Sequence, residues 1–343
     1  MHFIGVDLHK RSISLCVLVR AAGRRRVVAR RSLRCDQPRQ IRAFLSGLQP
    51  FQLVVEATSS YEWFVQLVEP LAHRVVLAHP KKLRVIAESA KKTDKLDAQV
   101  LAEFLALDMI PPAHRPSPRL REHRALVRQR QYVQRRITSL KNRARHVLSN
   151  YNADAGNLFT VSGQASLKAL KLSASDRFVV EQLLESWRHF CDQLRAMNAR
   201  LAEFAQSAPE TEREARACLE TMPCVGPVTI DVVLSELGDV RRFRSAKQAA
   251  AYAGLAPGIR QSGSRTKQLS ITKEGSGLLR WVLIQTAWRV AGKTRRWGLV
   301  YEKLKARIGA KKAIVAVARR LLGVMTALLR SGKRYSLASE AWA

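Results

Sequence analysis

Cysteine is scarce and badly placed for chemistry. The five residues (Cys16, Cys35, Cys191, Cys218 and Cys224) are scattered, odd in number and without a CxxC pair. That excludes a zinc ribbon and a disulfide framework. The eight histidines are equally dispersed. No apolar run approaches the ~20 residues that a membrane-spanning helix needs. The opening MHFIGVDLHK has neither a basic n-region nor an apolar h-region, so no secretion signal is expected. No detached basic amphipathic segment points to a membrane surface, and no stretch repeats at a fixed period. Together these absences predict a cytoplasmic protein with no membrane partner. Negative charge is the other shortage: 27 Asp+Glu stand against 60 Lys+Arg, a net charge of +33 over 343 residues. Such an excess repels itself unless a polyanion neutralises it, so nucleic acid is the expected partner. Hydrophobic residues make up 47%, which is globular rather than disordered. The length predicts two or three domains.

The stretch Lys91–Asp97, KKTDKLD, organises what is present. Asp94 and Asp97 are three residues apart, a spacing that puts both carboxylates on one helix face. Thr93 can cap that helix, and Ala98, Val100, Leu101, Phe104 and Leu105 give it an apolar stripe. Two acids in a first turn behind the basic residues Lys91 and Lys92 suggest a divalent-metal site that handles a phosphate backbone. The plainer alternative is a first turn whose acids simply answer the helix dipole.

Two upstream acids shift the balance. Phe3–Asp7 reads as a buried strand ending in an acid, followed by strands at Ser12–Val19 and Val27–Leu33 and a helix at Gln37–Leu48. Leu53–Glu56 is a second strand ending in an acid, followed by the turn Thr58–Ser60, a helix at Tyr61–Leu71 and a strand at Val75–Ala78. Pro80 opens a helix that breaks around Glu88–Lys92. Three strands, a helix, then alternating strands and helices is the order of an RNase H-like domain, an α/β fold with a mixed sheet, over residues 1–112. In that layout Asp7, Glu56, Asp94 and Asp97 converge at one sheet edge.

Beyond Ile110 the composition changes. Pro111, Pro112, Pro116 and Pro118 make a stiff linker. Residues 113–210 then read as a basic linker and coiled-coil region. Leu120–Val147 is one long helix with near-heptad apolar spacing, and Val180–Phe204 repeats the pattern. The two are expected to pair antiparallel, within one chain or between protomers. Arg115 to Arg145 carries 11 Lys+Arg and one acid, Glu122. So one-signed a face, including Arg128, Arg135, Arg136, Lys141 and Arg145, suits tracking of a nucleic-acid backbone. Residues 150–173 read as polar and irregular.

Residues 211–331 read as a mostly helical third domain, with a polar tail at 332–343. Ala217–Leu237 reads as helix, MPCVGPVT, helix, a helix-hairpin-helix pattern whose Gly226 can offer backbone N–H groups to a phosphate; a plain helical turn is the alternative. A short helix at Phe243–Leu255 precedes Ala256–Gly277, a loop rich in Gly, Ser, Lys and Arg that a polyanion would order. Its cations Arg265, Lys267 and Lys273 are further nucleic-acid candidates. Helices follow at Leu278–Ala291, Arg296–Ile308 and Ala313–Leu329.

Six segments in one order carry a family resemblance: FIGVDLHK, VVEATSSY, KKTDKLDA, MPCVGPVT, AYAGLAP and RQSGSRTKQLSITKEGSGLLR. Together they resemble the DEDD transposases of the IS110 insertion-sequence family over nearly the whole chain. Three departures stand out: Ser59 at the usual glycine of EATG-x-Y, Met222-Pro223-Cys224-Val225-Gly226 for the common IPGIG, and Lys273-Glu274-Gly275 for a more basic K-R-G. All touch loop geometry rather than reacting groups.

The resemblance implies a RuvC-like domain whose Asp7, Glu56, Asp94 and Asp97 hold Mg²⁺, and a nucleophilic serine at Ser262. From the sequence alone Ser262, Ser264 and Ser270 are not distinguishable. It also implies an RNA-guided recombinase in a bacterial cytoplasm. Its partners would be donor and target DNA, a structured guide RNA (the bridge RNA), and further copies forming a homodimer that assembles to a tetramer. Four carboxylates can hold two Mg²⁺ about 4 Å apart across a scissile phosphate. Ser262 would form a phosphoserine link that conserves bond energy for rejoining. Acids and serine lie far apart in the chain, so a composite site between domains or protomers is expected. The rival readings are a RuvC-like branched-DNA endonuclease using water, and a non-catalytic RNA- or DNA-binding protein.

Overall fold

The computed structural model describes residues 1–21, 24–58, 60–86, 94–154, 156–262 and 265–336, with backbone alone at 21, 84–86, 94–96, 259–260, 262 and 265–268. The chain forms two compact units, Met1–Arg115 and Pro116–Ala343.

The first unit is a five-stranded mixed sheet. Strands β1 (His2–Leu8), β2 (Ser12–Ala21) and β3 (Arg24–Arg34) form an antiparallel meander, and β4 (Phe51–Glu56) and β5 (Arg74–Ala78) run parallel to β1, in the order β3-β2-β1-β4-β5. The helices are α1 (Pro38–Ser46), α2 (Tyr61–Val68), α3 (Pro80–Ile86) and α4 (Asp94–Ala106). Side chains alternate across the strands. Ile4, Val6, Leu53 and Val55 pack with Ile41 and Leu45 of α1 and Phe64, Val65 and Val68 of α2. On the opposite face Phe3, Val54 and Val76 meet Leu83 of α3 and Leu101 and Leu105 of α4. The helix break expected around Glu88–Lys92 and the cap expected at Thr93 lie outside the described residues.

Gly5 is what lets α4 lie on the sheet. A Cβ there would stand 2.0 Å from the Ala98 carbonyl oxygen and 2.5 Å from the Ala102 nitrogen, both backbone atoms. Gly5→Ala must push α4 off β1, and overpacking of this kind costs about 1–3 kcal/mol. Urea titration of the purified variant should show that loss; an unchanged midpoint would mean α4 is not seated on β1.

Among its described residues the second unit is helical except for one hairpin. Helices α5 (Pro118–Ser149) and α7 (Ala174–Gln206) pair antiparallel within the chain. Ala144 and Leu148 share a cluster with Val180 and Leu184 at one end, and Arg130 Nε donates to Asn198 Oδ1 at 2.7 Å nearer the other. Between them α6 (Val161–Ala169) replaces the irregular segment expected from sequence, capped by Thr160, whose Oγ1 accepts from the Gly163 nitrogen. Its VSGQASLKA composition has weak helical propensity, so tertiary contact at Leu167 decides it.

Then come α8 (Glu210–Glu220), α9 (Pro227–Leu237), α10 (Ala246–Tyr252), β6 (Pro257–Ser262), β7 (Arg265–Ile271), α11 (Gly277–Lys293), α12 (Arg295–Ile308) and α13 (Ala310–Ser331). Helix α13 buries Ile314, Val317, Leu321, Met325 and Leu328 against Leu279, Leu283 and Val290 of α11 and Trp297 and Leu304 of α12. Val127 of α5 and Leu201 of α7 join that same core. Residues 113–210 and 211–331, read as separate regions from sequence, therefore share one compact unit beyond Arg115.

The segment 256–277 is not the open loop that its composition suggested. Strands β6 and β7 pair antiparallel, with Ile259 opposite Gln268 and Ser262 opposite Arg265. Backbone pairing satisfies the polar main chain whatever the side chains are, which is why Gly, Ser and Lys richness concealed it.

A buried ionic network ties α5 to α8 and α9. Asp231, 6% exposed, accepts from Arg216 Nη2 at 2.8 Å and stands 3.0 Å from Nε2 of His123, 3% exposed. Arg216 also reaches Glu212 at 3.1 Å, and Arg119 Nε meets Glu212 at 2.6 Å. His123 and Arg119 both lie on the Phe204 ring. Among the described residues no helix is long and apolar enough to cross a membrane.

Candidate active site

Two strand ends and one helix start meet on the α4 face of the sheet. The parallel register pairs Gly5 with Val54 and Val6 with Val55, so Asp7 and Glu56 are the next residues on neighbouring strands. Alternation puts Asp7 on the same side as Gly5, and Glu56 on the same side as Val54. That is the side α4 covers. Ala98 lies over Gly5, and Arg20, next to the Val19 that pairs with His2 at the start of β1, donates to the Ala106 carbonyl at the end of α4, so the first turn of α4 sits toward the carboxyl ends of β1 and β4. Asp94 opens that turn and Asp97 directly precedes Ala98. The backbone thus brings all four sequence-predicted acids toward one sheet edge.

The side chains add detail. Asp7 keeps 21% of its side-chain surface, and its Oδ2 is 3.1 Å from His9 Nε2. Glu56 is half-buried and Asp97 exposed, while the Asp94 side chain lies outside the described residues. Among the described residues no three His, Cys, Asp or Glu side chains close to metal-holding geometry. The donor chemistry nonetheless fits a hard divalent cation, since every candidate ligand is a carboxylate oxygen. His9 was not singled out from sequence, though its place two residues after Asp7 on the β1–β2 turn is the signal that could have found it.

Ser262 belongs to the second unit. It ends β6 at the tip of the hairpin, opposite Arg265, and its side chain lies outside the described residues, as do residues 263–264. Ser270 is instead part of β7. The hairpin's base is held firmly. Thr272 and Lys273 donate backbone N–H groups to Ala256 and Gly254. Arg280 Nη1 donates to the carbonyls of Ala253 at 3.0 Å and Glu274 at 2.8 Å. Gly254 and Gly275 both have positive φ, and a Cβ on either would stand 2.0 Å from a facing carbonyl oxygen. Sequence reasoning did not single out Arg280.

The nucleic-acid candidates divide by what they already touch. Arg128 forks onto Glu236, 3% exposed, with bonds of 3.0 and 3.2 Å, and that hydrogen bonding raises its pKa. Lys141 and Arg145 lie over Phe159, and Arg145 also faces Asp154. Arg135 and Arg136 are exposed, Arg136 over the Tyr132 ring. Gly226 caps α9, with Pro227 following and open space around the position a Cβ would take. Lys273 is exposed with a positive φ. Arg265 and Lys267 are described in backbone only, on β7, and Lys91 and Lys92 lie outside the described residues.

Comparison with known proteins finds two family models, matched one after the other along the chain. Residues 4–153 match a DEDD family model described as a transposase, and residues 216–302 match one described as the transposase IS116/IS110/IS902 family. A pilin gene-inverting protein of Moraxella bovis is 27% identical over 97% of both chains. A probable family 20 transposase of Pseudomonas aeruginosa is 28% identical over 95% of this chain and 96% of its own. The transposase of insertion sequence element IS1111A from Coxiella burnetii is 24% identical over 97% of this chain and 90% of its own. With both family models matched in order and similarity running end to end, the chain belongs to the IS110 family of DEDD transposases, enzymes of insertion sequences.

Proposed function

We propose that this transposase cuts and rejoins donor and target DNA through a covalent link to Ser262, with Asp7, Glu56, Asp94 and Asp97 as its carboxylate set. The observation that carries it is the adjacency of Asp7 and Glu56 on parallel strands beneath the start of α4. The strand order β3-β2-β1-β4-β5 supports an RNase H-like, specifically RuvC-like, first domain. The four carboxylates would hold Mg²⁺, which supplies charge neutralisation at the scissile phosphate. The serine hydroxyl attacks phosphorus: its O–H bond breaks, an Oγ–P bond forms, and the P–O bond to the leaving sugar oxygen breaks, that oxygen taking up a proton. The number of phosphoester bonds is conserved, so a free hydroxyl of another strand can reverse the step without ATP. A relative named for inverting a pilin gene supports rejoining rather than cutting alone. Gly226 at the start of α9 offers a second contact to the phosphate backbone, as a helix-hairpin-helix would.

Guidance by a structured RNA and assembly as a homodimer pairing to a tetramer complete the reading. Their support is the family and the net charge of +33, which exceeds what one duplex requires. The test is a covalent adduct. Protein expressed with its flanking DNA is incubated with target and Mg²⁺, then denatured, and retained DNA is counted. Wild type should retain DNA, whereas Ser262→Ala and Asp97→Asn should not. Cleavage that survives Ser262→Ala but not Asp97→Asn would replace the serine with water. Mixing the two variants tests whether one chain or two supply serine and acids to a phosphodiester.

A further inference from the structure

Helix α11 turns two indoles to solvent. Trp281 and Trp288 are 42% and 46% exposed, whereas Trp297 of α12 is 2% exposed in the core. The inner face of α11 is fully used: Leu279, Leu283, Ala287 and Val290 are buried against α13 and its neighbours. Trp281, Gln285, Trp288 and Gly292 follow at spacings of four, three and four, so they form one outer stripe, and all four are exposed. Seven residues of helix separate the indoles by about 10 Å along the axis. Trp288 stands edge-on to Tyr301, with ring centroids 5.5 Å apart, and Lys305 Nζ lies 5.7 Å from the Tyr301 centroid. Arg289 is exposed beside Trp288 and Gln285.

The surrounding charge decides what fits this face. From Gly275 to Tyr301 there is no Asp or Glu, and Glu302, the next residue, is paired with Lys305 at 3.1 Å, while Arg289, Lys293, Arg295 and Arg296 are present. A second copy of a chain with net charge +33 would bring like charge to the stripe. A polyanion brings the opposite. Among polyanions a duplex keeps its base faces stacked inside, where an indole on a rigid helix cannot reach them. A single strand offers both a phosphate chain for the cations and free base faces for the rings. DNA is the substrate class of this family, and breaking and rejoining strands exposes unpaired bases.

We infer that the outer stripe of α11 is a stacking platform for an unpaired DNA strand, with Trp281 and Trp288 each taking a base and Arg289 flanking its backbone. The inference rests on the family's DNA partner and not on Ser262, so failure of the serine chemistry leaves it standing.

The test measures binding of fluorescently labelled oligothymidylate to the full-length protein by anisotropy, across a salt series. Trp281→Ala and Trp288→Ala are each expected to weaken binding about tenfold, the scale of one base stacked on an aromatic ring. The slope of affinity against salt should not change, because no phosphate contact is lost. Affinity for duplex DNA should stay within about twofold, and the Phe variants should retain most single-strand binding. A thermal melt matching wild type shows that the loss is not unfolding. Three results would overturn the inference: unchanged single-strand binding in the double Ala variant, equal loss for duplex and single strand, or dissociation of an oligomer by the Ala variants in sedimentation. Stronger tryptophan-dependent binding of oligouridylate than of oligothymidylate would overturn the assignment to DNA.

Discussion

Glu56→Gln is expected to lower strand cleavage by at least about a hundredfold, the scale on which loss of a group acting directly at developing charge is felt. The substitution keeps the volume of a half-buried side chain at the end of β4 and removes only its negative charge. Neighbouring strand pairing is made by the backbone and does not need that charge: Ala57 N–H donates to Ala78, and Thr58 N–H to the Glu56 carbonyl. The protein should stay folded by a thermal melt, and DNA binding should persist or tighten slightly, since one anion is gone from a basic protein. Asp108→Asn is the matched control. Asp108 follows α4 at its far end, in an exposed pair with Arg74, and exposed pairs contribute ~0–1 kcal/mol. Cleavage in Glu56→Gln within tenfold of wild type, with the Asp108 variant unaffected, would remove Glu56 from the carboxylate set.

Asp231→Ala is expected to destabilise the second unit by about 3–5 kcal/mol, because it leaves the Arg216 guanidinium and the buried His123 ring without their acceptor. Asp231 is approached by Arg216 at 2.8 Å and His123 at 3.0 Å, where almost no water reaches. A loss of that size in a unit of this length lowers the melting temperature on the order of 10 °C. Replacing His123 and Asp231 together by Leu should cost less than the sum of the single replacements, since the hydrogen bond between them is then lost once rather than twice. Additive losses would mean that the two side chains do not interact.

The same network carries a pH dependence. Burial alone would raise the Glu212 carboxyl, but hydrogen bonds and charge from Arg119 and Arg216 outweigh it and hold the group below its ordinary 4.5. A depressed carboxylate contributes fully above its unfolded value and loses that contribution as the pH falls through the folded one. Stability of the second unit should thus fall on acidification below about 4.5, less steeply in Glu212→Gln.

How much of this was legible beforehand follows from what each signal depends on. Strand alternation and helical periodicity are local, so β1 to β5, α4, α5, α7 and α11 to α13 could be read from residue spacing within a few positions. The backbone placement of the candidate acids was legible for the same reason: each lies at or near the end of an element whose type its neighbours announce. Helix α6 and the β6–β7 hairpin were not, because their residues carry weak or contrary local preference and are held by contacts distant in sequence.

Charge shows the same split. The sequence by itself determined that this protein is strongly basic and where along the chain its four candidate carboxylates fall, since those facts need only residue types and short-range spacing. Only the tertiary structure decided which cations are spent internally. Arg128, Arg216 and Arg119 neutralise buried acids from α8 and α9, whereas Arg135, Arg136 and Arg289 remain at the surface. It alone decided that Gly5 is the seat of α4 and that Trp281 and Trp288 face solvent while Trp297 does not. Burial is set by which surfaces meet across the fold, and no run of neighbouring residues contains that information.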